Sequence, residues 1–225
     1  MFLTLSGVLD AGQLATATEL AATLRWVDGA ATAGAAARRV KHNEQADLTS
    51  RTGAKLRDML GEAIRAHPVF TAAAQPRRIS PLLVSRTQDG GTYGLHVDNP
   101  FMGAGDARLR TDLSFTLFLS DPGSYEGGEL EINHAGMTHP TKAQAGDLVL
   151  YPSTSLHQVC PVSSGQRIVC VGWVESSIRD AAAREILFDL ENLRATLGQT
   201  HDVRSPEYLT LSKSIANLMR LWGDA

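Results

Sequence analysis

The apolar positions change their period twice along the chain. Between residues 10 and 66 they recur at intervals of three and four, the spacing of helices that bury one face. Asp10 with Gln13 has the form of a capping box, and Leu14, Ala17, Leu20, Ala21 and Leu24 follow at helical spacing. Ahead of it, residues 1–8 alternate loosely and suit an edge strand; beyond it, residues 26–28 suit an extended segment. Residues 29–37 are mostly Ala, Gly and Thr without an amphipathic pattern, and are expected to form a loop. A second helix is expected to start near Thr49 or Ser50, with Leu56, Met59, Leu60, Ala63 and Ile64 on its apolar stripe. It ends at His67-Pro68, because a residue before proline avoids the helical region.

From residue 77 the period shortens to two. Residues 79–86 read as one strand, 88–92 as a turn and 93–98 as a short strand; the Gly-rich 99–107 suits a loop. Residues 111–120 alternate, with Leu113, Phe115, Leu117 and Leu119 on one face and Asp112, Ser114, Thr116 and Phe118 on the other. Strands over 127–132 and 148–151 are separated by turns at 135–136 and 145–147. Residues 157–162 and 166–174 read as a hairpin about Ser163-Ser164-Gly165. Short strands with turn signals at this density predict a sandwich or barrel. After residue 176 the helical period returns. Ser177 is the expected cap of a helix carrying Ile186, Leu187, Leu190, Leu193 and Leu197, with Gly198 as its stop. Ser205-Pro206 opens another, with Leu211, Ile215, Leu218 and Trp222 on one side. The pattern therefore predicts a mainly β protein with flanking helices (α+β). Residues 1–176 form one domain, with a core over about 77–176. Residues 177–225 form a C-terminal helical appendage that closes the barrel's end or packs on a second subunit.

Composition narrows this picture without redirecting it. The chain has 225 residues, of which 43% are hydrophobic and 20% charged, and a formal net charge of -3. No basic excess marks a nucleic-acid surface, and the short clusters Arg38, Arg39, Lys41 and Arg77, Arg78 read as solvated faces. The first residues lack a basic segment before the apolar run, and no span is long enough for a membrane helix. Two cysteines, Cys160 and Cys170, make no disulfide framework and read as buried small hydrophobes. The expectation is a cytoplasmic protein with no nucleic-acid and no membrane partner.

Candidate chemistry starts at His96-Val97-Asp98. On a strand, residues two apart face the same way, so this imidazole and carboxylate can reach one ion. His157 and Arg167 lie downstream. If Ser163 to Gly165 is a three-residue hairpin loop, Val162 pairs with Gln166 and odd residues of both strands share a face. His157 and Arg167 then stand on one side and Cys160 and Cys170 on the other. Two histidines and one carboxylate, with positions left open, form the facial triad of non-haem Fe(II) oxygenases. A bidentate 2-oxoacid fills two of those positions and dioxygen the third. Arginine offers the far carboxylate of such an acid two parallel hydrogen bonds, and the hydroxyls of Ser114 and Thr116 are further candidate donors. His42, His67, His134, His139 and His201 lack this spacing and read as surface or loop residues. Tyr151 is open between core and pocket.

Five stretches carry a resemblance: Tyr93-Gly94-Leu95-His96-Val97-Asp98, Arg110-Thr111-Asp112-Leu113-Ser114, Tyr125-Glu126-Gly127-Gly128-Glu129-Leu130, Gly146-Asp147-Leu148-Val149-Leu150-Tyr151-Pro152, and His157 with Arg167. In order and spacing the chain resembles the bacterial PKHD-type hydroxylases, in the prolyl 4-hydroxylase-like branch of the Fe(II)/2-oxoglutarate dioxygenases. The resemblance implies a distorted double-stranded β-helix, or jelly roll. It implies Fe(II) at His96, Asp98 and His157, 2-oxoglutarate at Arg167, dioxygen as co-substrate and ascorbate as a candidate reductant. The reaction it implies converts 2-oxoglutarate to succinate and carbon dioxide while a substrate C–H bond is hydroxylated. In the animal relatives a tyrosine on the strand after the first motif also holds 2-oxoglutarate; counting forward from Asp98, Phe118 takes that place here. Ten residues before His96, where those relatives carry another pocket tyrosine, stands Arg86, a candidate to anchor a substrate carboxylate or to assist cofactor binding. The substrate is a small molecule such as a free amino acid or related metabolite, or a peptidyl proline or lysine. A non-catalytic iron or 2-oxoglutarate binding module is the third alternative. A homodimer is a candidate assembly.

Overall fold

The computed structural model describes residues 1–32 and 37–224. Residues 33–36, within the expected loop, lie outside the described residues; 29–32 and 37–40 are short 3-10 turns rather than open loop. Strand β1 (Leu3–Leu5) leads into α1 (Ala11–Ala22), and β2 (Trp26–Asp28), β3 (Lys41–His42) and β4 (Glu44–Ala46) precede α2 (Arg51–Ala66) and α3 (Pro68–Ala74). The β-rich middle runs through β5 (Pro76–Ile79), β6 (Leu83–Thr87), β7 (Thr92–His96), β8 (Phe101–Met102), β9 (Leu109–Arg110) and β10 (Leu113–Phe118). It continues through β11 (Tyr125–Gly127), β12 (Leu130–His134), β13 (Met137–Thr141), β14 (Leu148–Pro152), β15 (His157–Val159), β16 (Val162–Gly165) and β17 (Arg167–Ser176). Helices α4 (Ala181–Thr200) and α5 (Pro206–Trp222) follow.

Local chemistry sets the helix ends. The Asp10 carboxylate accepts from Gln13 N at 2.8 Å, and the Gln13 side chain accepts from Asp10 N at 3.0 Å, closing the expected box. Ser50 and Ser205 cap α2 and α5 through their side chains. Proline ends α2 as expected, yet it also opens α3, which the sequence pattern did not separate: His67 caps α3 and Pro68 takes its first position, where no N–H is needed. Two expectations at α4 are corrected. Its cap is Asp180, which accepts from Ala183 N at 2.8 Å. Gly198 lies inside the helix, where a side chain would meet the Tyr208 ring at 3.3 Å, so it serves close helix packing instead of a stop.

Two antiparallel sheets face each other. The larger has the order β1-β14-β10-β17-β6-β4-β2, with β5 also on β17; the smaller has the order β13-β12-β15-β7-β3. The outer face of the larger sheet carries the main core: Leu113, Phe115 and Leu117 of β10 pack with Val84, Cys170 and Val174 against Leu56, Leu60, Ile64 and Phe70 of the helices. Alternate β10 residues turn the other way, so all six are buried. Phe118 joins Leu130, Ile132, Val149, Tyr151 and Val169 between the sheets. At the far side α4 packs on α3 and α5, around Ile178, Ala183, Leu187 and Ile215. Among the described residues no helix is long and apolar enough to cross a membrane.

The expected strand over 79–86 is two strands. Pro81 has no N–H for the ladder, and the chain bulges there: Ile79 pairs with Val174 in β5, whereas Leu83 pairs with Val171 in β6. The expected hairpin of 157–162 with 166–174 does not form. β15 pairs with β12 and β7 in the small sheet, β16 pairs with β11, and β17 lies in the large sheet between β10 and β6. Cys160 N donates to Glu129 O and Val162 N to Gly91 O, so the chain is already crossing between sheets where the hairpin would begin. Cys170 is buried as expected, but Cys160, at the crossing, is only partly so.

Candidate metal and anion site

Two strands of the small sheet deliver the histidines. β7 and β15 pair antiparallel with His96 directly opposite His157, and residues directly opposite share a face. Both rings point between the sheets, with centroids 4.2 Å apart. β7 ends at His96. The chain continues extended, Val97 is half exposed, and the Asp98 side chain turns back inward. The candidate ligand atoms of His96, Asp98 and His157 all lie within 4.8 Å of one another. The Nε2 of His157 stands 3.7 Å from Asp98 Oδ2.

Hydrogen bonds orient each of the three. His96 Nδ1 lies 2.8 Å from Gly94 O and His157 Nδ1 lies 3.0 Å from Ser155 O. A carbonyl oxygen only accepts, so both rings carry their proton on Nδ1 and leave Nε2 with a lone pair for a metal. Burial and the neighbouring His157 push the His96 pKa down to about 4, which keeps that lone pair available at neutral pH. Tyr93 stacks on His96 with centroids 3.7 Å apart, and Tyr151 meets the His157 ring edge-on at 5.1 Å. Ser114 Oγ donates to Asp98 Oδ2 at 2.6 Å and lies 2.7 Å from Ser153 Oγ. The Ser114 hydroxyl, expected to be free for a bound anion, is therefore engaged by the candidate metal ligand. Thr116, two residues on, lines the cavity beside Tyr151.

Arg167 reaches the same space from the large sheet. It opens β17 opposite Thr87, is 2% exposed, and lays its guanidinium 5.2 Å from the Phe118 ring centroid. Its Nε and Nη2 are buried, and apart from the Tyr125 hydroxyl no described residue offers them a hydrogen-bond partner. Burial draws its pKa down, but a guanidinium stays charged. A buried cation with unpaired N–H groups suits an anion with two acceptor oxygens. The odd residues Val169, Val171 and Trp173 follow Arg167 along the cavity wall. His157 and Arg167 thus share one interior although the hairpin expected to join them is absent. They stand on facing layers, and the parity holds because both inner faces line one cavity.

That cavity measures about 90 Å³, well above the roughly 10–15 Å³ that one water needs on this measure. Two residues expected elsewhere change places around it. Arg86 is turned out: Leu83, Ser85 and Thr87 of β6 line the cavity, so strand alternation sends Arg86 to the opposite face. There it pairs with Glu44 at 2.8 Å and stacks its guanidinium 4.5 Å from the Trp26 ring. Lys41, read as part of a solvated cluster, is 6% exposed and lines the cavity. Burial lowers its pKa to about 8, against the opposing pull of Asp28 and Asp98. Its position beside Tyr93 on β7 follows from the β3–β7 pairing, which the Ala- and Gly-rich sequence before it does not announce. Trp173 also lines the cavity, and its indole N–H is buried without a partner among the described residues. Its parity with Arg167 on β17 was readable in advance.

Comparison with known proteins extends these observations. The family model of the 2OG-Fe(II) oxygenase superfamily matches residues 82–175. A PKHD-type hydroxylase of Hyphomonas neptunium is 59% identical over 210 residues, covering 92% of this chain and 94% of its own. Among solved structures, the Trichoplax adhaerens prolyl hydroxylase in complex with a hypoxia inducible factor oxygen degradation domain peptide fragment aligns with a TM-score of 0.59. The identity is 12%, over 77% of this chain and 83% of that one. HygX from Streptomyces hygroscopicus, with nickel, 2-oxoglutarate and hygromycin B bound, aligns with a TM-score of 0.54 and 16% identity, over 78% and 83% of the two chains. At these identities the solved structures bear on the fold alone, and they agree with a jelly roll.

Proposed function

The chain belongs to the PKHD-type hydroxylases of the 2OG-Fe(II) oxygenase superfamily, and we propose that it hydroxylates an unactivated C–H bond of a small, carboxylate-bearing molecule such as a free amino acid. The carrying observation is the convergence of His96, Asp98 and His157 with the buried, unpaired guanidinium of Arg167 in one cavity. The donor set suits Fe(II), being two neutral imidazoles and one carboxylate with open positions. Arg167 suits the far carboxylate of 2-oxoglutarate.

When bound, Fe(II) with 2-oxoglutarate and dioxygen supplies the oxidising power and releases succinate and carbon dioxide. The chain's own residues do the rest. Ser114 holds the Asp98 carboxylate in one orientation, and the backbone carbonyls of Gly94 and Ser155 hold the imidazoles in one tautomer. Leu130, Val159, Val169 and Val171 wall the cavity with apolar surface and exclude water.

The substrate reading rests on Trp173, whose indole N–H lines the cavity, is buried without a hydrogen-bond partner among the described residues and can only donate, so the group it faces is an acceptor. Six steps along the strand, about 20 Å, separate Trp173 from Arg167, and Trp173 is paired with Ser114, the residue that holds Asp98. On this reading one end of the cavity serves the co-substrate, and the other offers Trp173 to an acceptor oxygen of the substrate. A peptidyl substrate is the second reading, favoured by Leu95, Val97 and Leu156, which are about half exposed around the histidine strands.

The test is succinate release by the Fe(II)-reconstituted protein with 2-oxoglutarate, across free amino acids, their carboxamides and short peptides. The proposal expects stimulation by a free carboxylate and its loss on amidation. Stimulation by peptides or amides alone would overturn it in favour of the second reading.

A further inference from the structure

At the end of the cavity that Arg167 serves, the ring beside the guanidinium is Phe118, which has no hydroxyl. The guanidinium of Arg167 lies against the Phe118 ring on one side. On another stands Tyr125, the first residue of β11, 3% exposed. Three atoms in this corner are buried and find no hydrogen-bond partner among the other described residues, though they lie within reach of one another: the Tyr125 hydroxyl, and Nε and Nη2 of Arg167. They close on each other over Gly128. A Cβ built at Gly128 would lie 2.9 Å from Arg167 Cδ and 3.0 Å from Tyr125 Cε2. Only a glycine lets the two side chains meet there, and its φ of +70° is a conformation glycine adopts freely. Tyr125 does not line the cavity; it stands behind the guanidinium.

We infer that Tyr125 is a positioning residue for Arg167: its phenol oxygen accepts a hydrogen bond from the guanidinium and aims the remaining N–H groups into the cavity. The chemistry is complementary. A guanidinium has five N–H donors and no acceptor, and a phenol oxygen has lone pairs to offer. Tyr125 is itself held. Lys142 Nζ donates to Tyr125 O at 2.6 Å and lies 4.1 Å from the ring centroid, clamping backbone and ring together. Tyr125 thus acts from β11 through the arginine and not by direct contact with the co-substrate. This rests on the reading that Arg167 binds the far carboxylate of 2-oxoglutarate.

The experiment compares wild type with Tyr125→Phe, which keeps the ring, the Lys142 contact and the backbone. Binding of two probes to the full-length Fe(II)-loaded protein is measured anaerobically by calorimetry. 2-Oxoglutarate carries a chelating 2-oxoacid end and a far carboxylate; oxalate carries the chelating end alone. Loss of a hydrogen bond to a charged group weakens binding by about ten- to a hundredfold. The expected result is a rise of that size in the 2-oxoglutarate Kd with the oxalate Kd unchanged, which also shows that the variant is folded and metal-loaded. Steady-state assays would show the same split, with KM for 2-oxoglutarate raised and kcat near wild type. An unchanged 2-oxoglutarate Kd would overturn the inference, and so would equal weakening of both probes. A wild-type protein that binds oxalate but not 2-oxoglutarate would overturn the functional reading and this inference with it.

Discussion

Replacing Ser114 by alanine removes one oxygen from the fold and asks what holds Asp98. Ser114 is 2% exposed, and its Oγ donates to Asp98 Oδ2 at 2.6 Å. A hydrogen bond to a charged group contributes about 1.5–3 kcal/mol. Two effects oppose each other in the variant. A carboxylate without its donor is more basic and binds a cation harder. It is also free to rotate, and it must reorganise before it can serve as a ligand. The second effect should win, because Ser114 and Ser153 form a connected pair beneath the carboxylate, and the variant also leaves Ser153 Oγ, 2.7 Å away, without its partner. Outer partners of metal ligands are typically worth about ten- to a hundredfold in metal affinity, or about 1.4–2.7 kcal/mol, which matches the strength of the bond lost. The assay is anaerobic Fe(II) binding in competition with a chromophoric chelator, with thermal unfolding alongside. The metal-free variant should lose about 1–2 kcal/mol of stability, a Tm decrease of about 2–8 °C. An Fe(II) affinity equal to or tighter than wild type would refute the reasoning.

Arg86→Ala should leave 2-oxoglutarate binding and turnover unchanged while lowering Tm by about 2–4 °C, since it removes a partly buried pair with Glu44 and a stacked Trp26, together worth about 1 kcal/mol; a selective loss of substrate affinity would restore Arg86 to the pocket. Gly128→Ala puts a methyl group 2.8 Å from Val162 Cγ2 and 2.9 Å from Arg167 Cδ at a positive φ. It should cost about 1–3 kcal/mol and weaken 2-oxoglutarate binding as well; denaturant melts and calorimetry read the two effects, and a variant as tight as wild type would contradict the packing described. The metal-free protein should lose stability on acidification from about pH 6.5 to 4. The buried His96 has a pKa of about 4, whereas an unfolded histidine titrates near 6.5, so in that window the unfolded chain binds a proton that the folded chain does not. Urea melts at about pH 7 and pH 5 decide it, and an equal or higher midpoint at the lower pH would sink the argument.

Local chemistry was readable wherever neighbours in sequence set it. The caps at Asp10, Ser50 and Ser205 depend on side chains reaching a backbone N–H three residues on, and each formed as the residues implied. The alternation of β10 carried both of its faces, because a strand buried on both sides still separates Leu113, Phe115 and Leu117 from Ser114, Thr116 and Phe118. The His96–Asp98–His157 set was readable because each residue type is uncommon inside a fold without a partner. What failed were statements about which strands meet. Ser163-Ser164-Gly165 has the composition of a hairpin turn, but Gly165 pairs with Tyr125 instead, and turn composition says nothing of a crossing between sheets. Arg86 failed for a related reason: counting residues back from His96 ignores parity on its own strand, where Thr87, its neighbour, is the one opposite Arg167. Lys41 and Tyr125 were missed because nothing periodic surrounds them; β3 is two residues long, and Tyr125 precedes a glycine pair whose value lies in the close approach it permits.

The central claim is that one cavity binds Fe(II) through His96, Asp98 and His157 and 2-oxoglutarate through that metal and Arg167 together. Anaerobic titration of 2-oxoglutarate into wild type and Arg167→Leu, each with and without Fe(II), tests it most directly. The account predicts one saturable site in Fe(II)-loaded wild type, with affinity falling by at least about a hundredfold when either the metal or the guanidinium is removed. Binding of undiminished affinity in the metal-free protein, or in Arg167→Leu, would contradict it.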